Sequence, residues 1–260
     1  MALDLDGKCV LITGASSGIG RACAEGLAAC GCRLLLAARR KDRLDELAEV
    51  LQKRLDADVL TVALDVRDRG AVDTWFAGLS ESWQDIDILV NNAGLARGLA
   101  PLHEGAVEDW EEMIDTNLKG LLYVTRAVLP GMVDRGRGHV INIGSLAGHE
   151  VYPGGNVYCA SKHAVTALSR SLGIDTLGTG VRVSSVDPGM VETEFSLVRF
   201  HGDAERASGV YDGIDPLTPA DVAEAVLFCA TRPENANVRE LILMAGAQAS
   251  AVHAHRSEQA

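Results

Sequence analysis

The sequence predicts an α/β fold, a doubly wound parallel sheet of about seven strands with helices on both faces. Three observations predict it. Short apolar runs alternate with longer helical stretches along the chain. The first run feeds a glycine-rich turn that opens a helix. The length, 260 residues with 47% hydrophobic and 23% charged side chains, suits one domain around one sizeable core.

The expected strands are residues 9–13, 33–38, 59–64, 86–91, 139–144, 181–186 and 238–244. In 107–133, Trp110, Met113, Ile114, Leu118, Leu121, Thr125, Val128 and Met132 recur at helical spacing, which predicts a long core-facing helix. Pro130 and Gly131 should distort its end. No repeat or linker divides the chain, so residues 1–260 are expected to form a single domain. The stretch from Met190 to Asp215 follows the sixth strand and contains Gly202, Gly209 and Gly213; a connection of this length predicts a substrate lid over 190–215. Residues 245–260, rich in Ala, Ser, His and Gln, read as a mobile tail.

Charge narrows the function. A net charge of -12, from 24 basic against 36 acidic residues, opposes a nucleic-acid or anionic-membrane surface. No apolar run approaches the roughly 18 residues a spanning helix needs, and the opening Met1-Ala-Leu-Asp-Leu-Asp6 lacks a basic leader, so a cytoplasmic location is expected. The six cysteines form no CxxC pair and lie near no spaced histidines, so no metal site is expected. Cys159 reads as a packing residue.

After the first strand, Thr13-Gly-Ala-Ser-Ser-Gly-Ile-Gly20 leads into a helix. Gly14, Gly18 and Gly20 permit the turn, close backbone approach and tight helix packing, and the helix N-terminus can receive a pyrophosphate. An NAD-selective site would place a carboxylate at the end of the second strand. Here stand Arg39-Arg40-Lys41, which read as a clamp for a 2′-phosphate, against the plainer reading of a solvated helix start. Tyr158 and Lys162, four apart in a helical stretch, project from one face, and an ammonium beside a phenol favours its ionised form. Ser145 follows the fifth strand, where open α/β sheets bind ligands. Asn117 interrupts the apolar face of the long helix, a buried amide with a structural or relay role.

Together, Thr13 to Gly20, Asn91-Asn-Ala-Gly94, Asn117, Ser145, Tyr158-xxx-Lys162 and Asp187-Pro-Gly189 before Thr193 closely resemble the short-chain dehydrogenase/reductase family, from about Lys8 to Met244. The resemblance implies a Rossmann-like fold, an NADP cofactor and hydride transfer at a carbonyl or alcohol carbon of a small molecule. It implies that Tyr158 is the general acid/base, that Lys162 holds the nicotinamide ribose and lowers the tyrosine pKa, that Ser145 binds the reacting oxygen and that Asn117 anchors a relay water. It places Asp65 and Val66 at the adenine, Asn91 by the adenosine ribose, Ser16, Ser17 and Ile19 at the phosphates, and Pro188, Gly189 and Thr193 at the nicotinamide end. It also implies a homotetramer. Within the family, Met113-Ile-Asp-Thr-Asn117 and Thr193-Glu-Phe-Ser-Leu-Val-Arg-Phe200 look like the NADP-dependent 3-hydroxy acid dehydrogenases that act on serine and allo-threonine; Gly148-His149 and Val191-Glu-Thr193 look like broad carbonyl and ketosteroid reductases. A non-catalytic NADPH-binding sensor or scaffold is the third possibility, which the complete set Asn117, Ser145, Tyr158 and Lys162 opposes. Arg199, between Val198 and Phe200 in the expected lid, is suited to grip a substrate carboxylate.

Overall fold

The computed structural model describes residues 4–257; the extreme ends of the expected domain, 1–3 and 258–260, lie outside the described residues. Seven parallel strands form one sheet: β1 (Cys9–Thr13), β2 (Arg33–Ala38), β3 (Val59–Ala63), β4 (Ile88–Asn91), β5 (Gly138–Ile143), β6 (Val181–Pro188) and β7 (Glu240–Leu243), in the order β3-β2-β1-β4-β5-β6-β7. The order reverses between β1 and β4, and ligands of open α/β sheets bind in the crevice at such a point.

Both faces of the sheet are covered, so its strands are apolar on both sides. Side chains alternate, with Val10, Ile12, Leu34 and Leu36 packing toward one face and Leu11, Leu35 and Leu89 toward the other. The first face meets α1 (Gly18–Ala29), α2 (Lys41–Leu55) and α10 (Pro219–Ala230), through Leu27, Leu44, Leu47 and Val226. The second meets α3 (Arg69–Ala77), α6 (Leu121–Asp134) and α7 (Asn156–Asp175), through Val72, Val124, Met132 and Leu172. Helix ends follow local chemistry. Thr218 and Asp221 form a reciprocal capping box with Pro219 in the first turn of α10, and Asp56, in the left-handed region at φ 53°, ends α2. The short α4 (Glu81–Gln84) precedes β4.

The long helix departs from expectation in one respect. It runs through Pro130 to Asp134; the irregularity lies earlier, where α5 (Val107–Ile114) passes into a wide π turn at Asp115–Gly120 before α6. Gly120 lets this turn pack on Val66, since a Cβ there would stand 2.6 Å from Val66 Cγ2.

His139, at the start of β5, is buried; its Nε2 pairs with Ser184 Oγ at 2.8 Å and its Nδ1 has no partner among the described residues. Burial, with Arg182 nearby, pushes its pKa down to about 3. The sign of the linkage follows. Below about 6.5 the unfolded chain takes up a proton that the folded protein refuses until about 3, so stability present above 6.5 is lost as pH falls through that window, at about 1.4 kcal/mol per unit. The thermal midpoint of wild type should therefore fall more steeply between pH 6.5 and 4 than that of His139→Gln. Parallel slopes would show that His139 does not titrate this way.

Candidate active site

The crevice begins at the glycine turn. Gly14 and Gly18 have φ of +66° and +53°, which side chains beyond Cα disfavour. Asn92 Nδ2 donates to the Thr13 carbonyl at 2.9 Å and the Gly14 carbonyl at 3.2 Å, while Thr13 Oγ1 accepts the N–H groups of Asn92 and Ala93 at 3.1 and 3.0 Å. These bonds stitch the ends of β1 and β4 together. Gly20 takes no part in the wall; it permits packing, since a Cβ there would meet Asn92 Nδ2 at 2.4 Å. No side chain caps α1 and its first turn holds no acid, so its N–H groups and dipole face an anion site unopposed.

From this turn a cavity of about 700 Å³ extends across the carboxyl ends of the strands. At its nucleotide end it is lined by Gly14, Ser16, Ser17, Gly18, Ile19, Arg39, Arg40, Asp65, Val66 and Thr116. Arg40 donates to Ser17 Oγ at 2.7 Å and to Ser16 Oγ at 3.2 Å, so one guanidinium spans the turn and the end of β2. Its third contact is with Glu194 at 2.9 Å, which Arg43 also holds at 2.7 Å. Arg39 stands 3.8 Å from Glu112. Asp65 is tied to Arg67 at 2.6 Å, and that hydrogen bond holds its carboxyl below the usual range. Asn91 does not face this cavity. Its Nδ2 is committed to Thr125 Oγ1 and Asn142 Oδ1, both at 2.9 Å, inside a buried polar network that continues to Ser169. The wall here belongs to Asn92, Ala93 and Gly94.

At the other end Ser145, Tyr158 and Lys162 come together on the cavity wall with Pro188, Gly189 and Thr193. Ser145 Oγ accepts the Ala147 N–H at 3.1 Å and leans on the Pro188 carbonyl at 3.4 Å, which fixes the hydroxyl beside the phenol. Lys162 donates to the Ile143 carbonyl at 2.9 Å. Burial pushes the Tyr158 phenol well above its ordinary value; the cation that opposes this most is Arg199, aided by a hydrogen bond from Ser145. Lys162, expected to act here, stands 6.0 Å from the ring centre. Asn117 is buried off the wall: its Oδ1 accepts the Leu95 N–H and its Nδ2 donates to the Leu95 carbonyl, both at 2.8 Å, with Ser161 Oγ at 3.0 Å. The side chain thus clamps the strand-end loop, and its polar atoms are already engaged.

The stretch 190–215 lies over this end. It carries α8 (Phe195–Arg199) and α9 (Ala204–Ser208) and is docked by Gly98 N–H to the Arg199 carbonyl at 2.9 Å and by Arg97 to the Val198 carbonyl at 2.6 Å. Arg199 donates to Tyr152 Oη at 2.6 Å and lies 5.1 Å from the ring centre of Tyr158 and 5.2 Å from that of Phe195. Among the described residues its Nε is buried without a partner. The carboxyl-terminal stretch, expected to be mobile, is folded against 190–215. Ser257 N–H donates to Gly213 at 2.8 Å, Arg256 to Val210 at 3.1 Å, and the Ala251 N–H reaches Glu150 at 2.7 Å. Gln248, Val252, His253 and Arg256 thereby join the cavity wall.

Sequence reasoning missed Thr116, whose buried Oγ1 has no partner, and Tyr152, Glu194 and Gln248. Thr116 had one signal, a polar residue next to Asn117 on an otherwise apolar helix face. Among the described residues no cluster of His, Cys, Asp and Glu is placed to hold a metal ion, and no helix is long and apolar enough to cross a membrane.

A parallel sheet of this strand order, with a glycine turn at its reversal, defines a dinucleotide-binding protein. Residues 8–202 match the profile of the short chain dehydrogenases, and the chain belongs to that family. Among curated relatives it is 50% identical, over 95% of its own length and 99% of theirs, to the NADP-dependent 3-hydroxy acid dehydrogenase of Salmonella typhi. It is 43% identical, over 98% of each chain, to the NADP-dependent 3-hydroxy acid dehydrogenase of Schizosaccharomyces pombe. Among solved structures, the closed form of a serine dehydrogenase complexed with NADP+ is 47% identical with a TM-score of 0.89, covering 96% of this chain and all of that one.

Proposed function

We propose that this chain is an NADP-dependent dehydrogenase that oxidises short 3-hydroxy acids such as serine at the hydroxyl-bearing carbon. What carries the substrate class is Arg199, a half-buried cation on the cavity wall among three aromatic rings, whose Nε–H is buried and unpaired among the described residues. A buried donor of this kind calls for an acceptor, and a carboxylate matches a guanidinium in charge and geometry. The relatives' activity on 3-hydroxy acids points the same way. The residues also fit NADP: an open helix N-terminus, Arg40 bound to Ser16 and Ser17 beside it, and Arg39 on the same wall.

The bound nicotinamide supplies or accepts the hydride. Ser145 orients the reacting oxygen, and Tyr158 moves its proton; with burial holding the phenol neutral, it is ready to donate in the carbonyl-reducing direction. Lys162 holds the nicotinamide ribose, and Asn117 keeps the Leu95 loop and, through it, the substrate floor in place. Arg39 and Arg40 take the 2′-phosphate, with Ile19 at the pyrophosphate, Asp65 and Val66 at the adenine, and Pro188, Gly189 and Thr193 at the carboxamide. Residues 190–215 act as the lid of a single domain that assembles as a cytoplasmic homotetramer.

The cofactor assignment is tested with Arg40→Ala. Charge-assisted contacts of about 1.5 to 3 kcal/mol correspond to roughly ten- to hundredfold in affinity, so NADPH binding should weaken by that factor with NADH binding little changed. Equal kinetic efficiency of wild type with NADH and NADPH would reject the clamp.

A further inference from the structure

Asp187, near the carboxyl end of β6, is a carboxylate with no solvent exposure, and it does not line the cavity. Its Oδ2 is paired with His149 Nε2 at 2.9 Å, and its Oδ1 accepts the Ser185 hydroxyl at 2.5 Å. The carboxylate rests on the backbone of Gly144, where a Cβ would lie 1.8 Å from Oδ1. Lys162 reaches the residue just before, the Ile143 carbonyl, at 2.9 Å. Two buried groups of opposite charge therefore converge on consecutive residues at the end of β5. A buried ammonium with only a carbonyl partner is costly, and a nearby carboxylate offsets that cost.

We propose that Asp187, held by His149, is the counter-charge that keeps Lys162 an ammonium in its buried seat, making both positioning residues for the cofactor-ribose contact. The inference rests on the reading of Lys162 as a ligand of that ribose. The groups facing Asp187 are His149 from the loop after β5, Ser185 of β6, Lys162 and Arg170 of α7, and Cys229 of α10. His149 in turn faces Glu240 of β7, which Arg170 holds at 2.6 Å and Arg239 at 3.5 Å, so that carboxylate is already paired. Asp187 is thus the carboxylate left to answer Lys162. Burial pulls the ammonium down to about 8, and Asp187 is the charge that opposes the fall.

The sign is then fixed: losing the carboxylate lets Lys162 shed its proton at lower pH. NADPH affinity, read by cofactor fluorescence across pH 6 to 9.5, should fall in wild type as pH rises through about 8. In Asp187→Asn the midpoint should move about one pH unit toward acid. His149→Leu strips the carboxylate of a donor, favours its protonation and should move the midpoint the same way. His149→Gln, which restores an N–H donor, should return it toward wild type. Should Asp187→Asn fail to fold by circular dichroism, the contrast between Leu and Gln at position 149 carries the test. An unmoved midpoint in folded Asp187→Asn, or equal midpoints for the two substitutions at 149, overturns the counter-charge. A wild type that binds no NADPH at any pH overturns the cofactor reading itself, and with it this role.

Discussion

Tyr158→Phe is expected to bind NADPH as wild type does and to lose turnover by about a thousandfold, since positioned acid/base groups contribute about 10² to 10⁴. The reason lies in what the substitution removes and what it keeps. The Tyr158 ring packs edge-on against Phe195 at 5.6 Å and under the Arg199 guanidinium at 5.1 Å, and phenylalanine preserves both contacts. Ser145 retains its bonds to Ala147 and Pro188, so the site should not collapse. The hydroxyl is lost, and with it the transferable proton and the hydrogen bond from Ser145. Retention of more than a tenth of the wild-type rate would remove Tyr158 from the chemistry. A wild type that binds NADPH but turns over no substrate of any class would instead favour a sensor or scaffold.

Arg199→Ala should lower kcat/KM for serine by about a hundredfold or more, two charge-assisted hydrogen bonds to a carboxylate being worth about 1.5 to 3 kcal/mol each. The methyl ester of the same substrate should lose far less. A change common to both is expected as well, because Arg199 also draws the Tyr158 phenol downward and its loss raises that group further. The diagnostic quantity is therefore the ratio of acid to ester. An unchanged ratio would take Arg199 out of substrate binding. A wild type that prefers bulky neutral ketones would shift the assignment to the carbonyl reductases.

Much of this was legible in the sequence where the physics is local. Apolar runs marked all seven strands: the five inner ones are buried almost throughout and leave little exposed alternation to obscure them, and the edge strands β3 and β7, only partly buried, carry apolar runs as well. The glycine turn was legible for the same reason: Gly14 and Gly18 occupy backbone conformations that few other residues tolerate. The Asn91 side chain turns away from the crevice, and the decisive fact is parity. It points to the same face as Leu89, toward Thr125 of α6, while its neighbour Asn92 turns to the turn carbonyls. Asn117 was correctly seen as a buried amide in need of partners, yet those partners, Leu95 and Ser161, are 22 and 44 residues away. The carboxyl-terminal stretch read as mobile by composition, because what orders it is contact with Glu150, Val210 and Gly213. The wide turn at Asp115–Gly120 packs Gly120 on Val66, a contact 54 residues away in the chain that no helical periodicity can announce.

The stitching of β1 to β4 has a kinetic consequence. Asn92 lies 79 residues beyond the Thr13 carbonyl it holds, and β2 and β3, which intervene in the chain, lie on the opposite side of β1. Non-local pairing of this kind carries its loop-closure cost before any contact rewards it, and it forms late. The nucleotide crevice therefore does not exist in a partly folded chain, however complete its glycine turn and first helix are. A ligand held there binds only the finished topology, so it draws the last folding step toward completion in proportion to its concentration. Refolding yield should then track cofactor supply even where the early collapse rate does not.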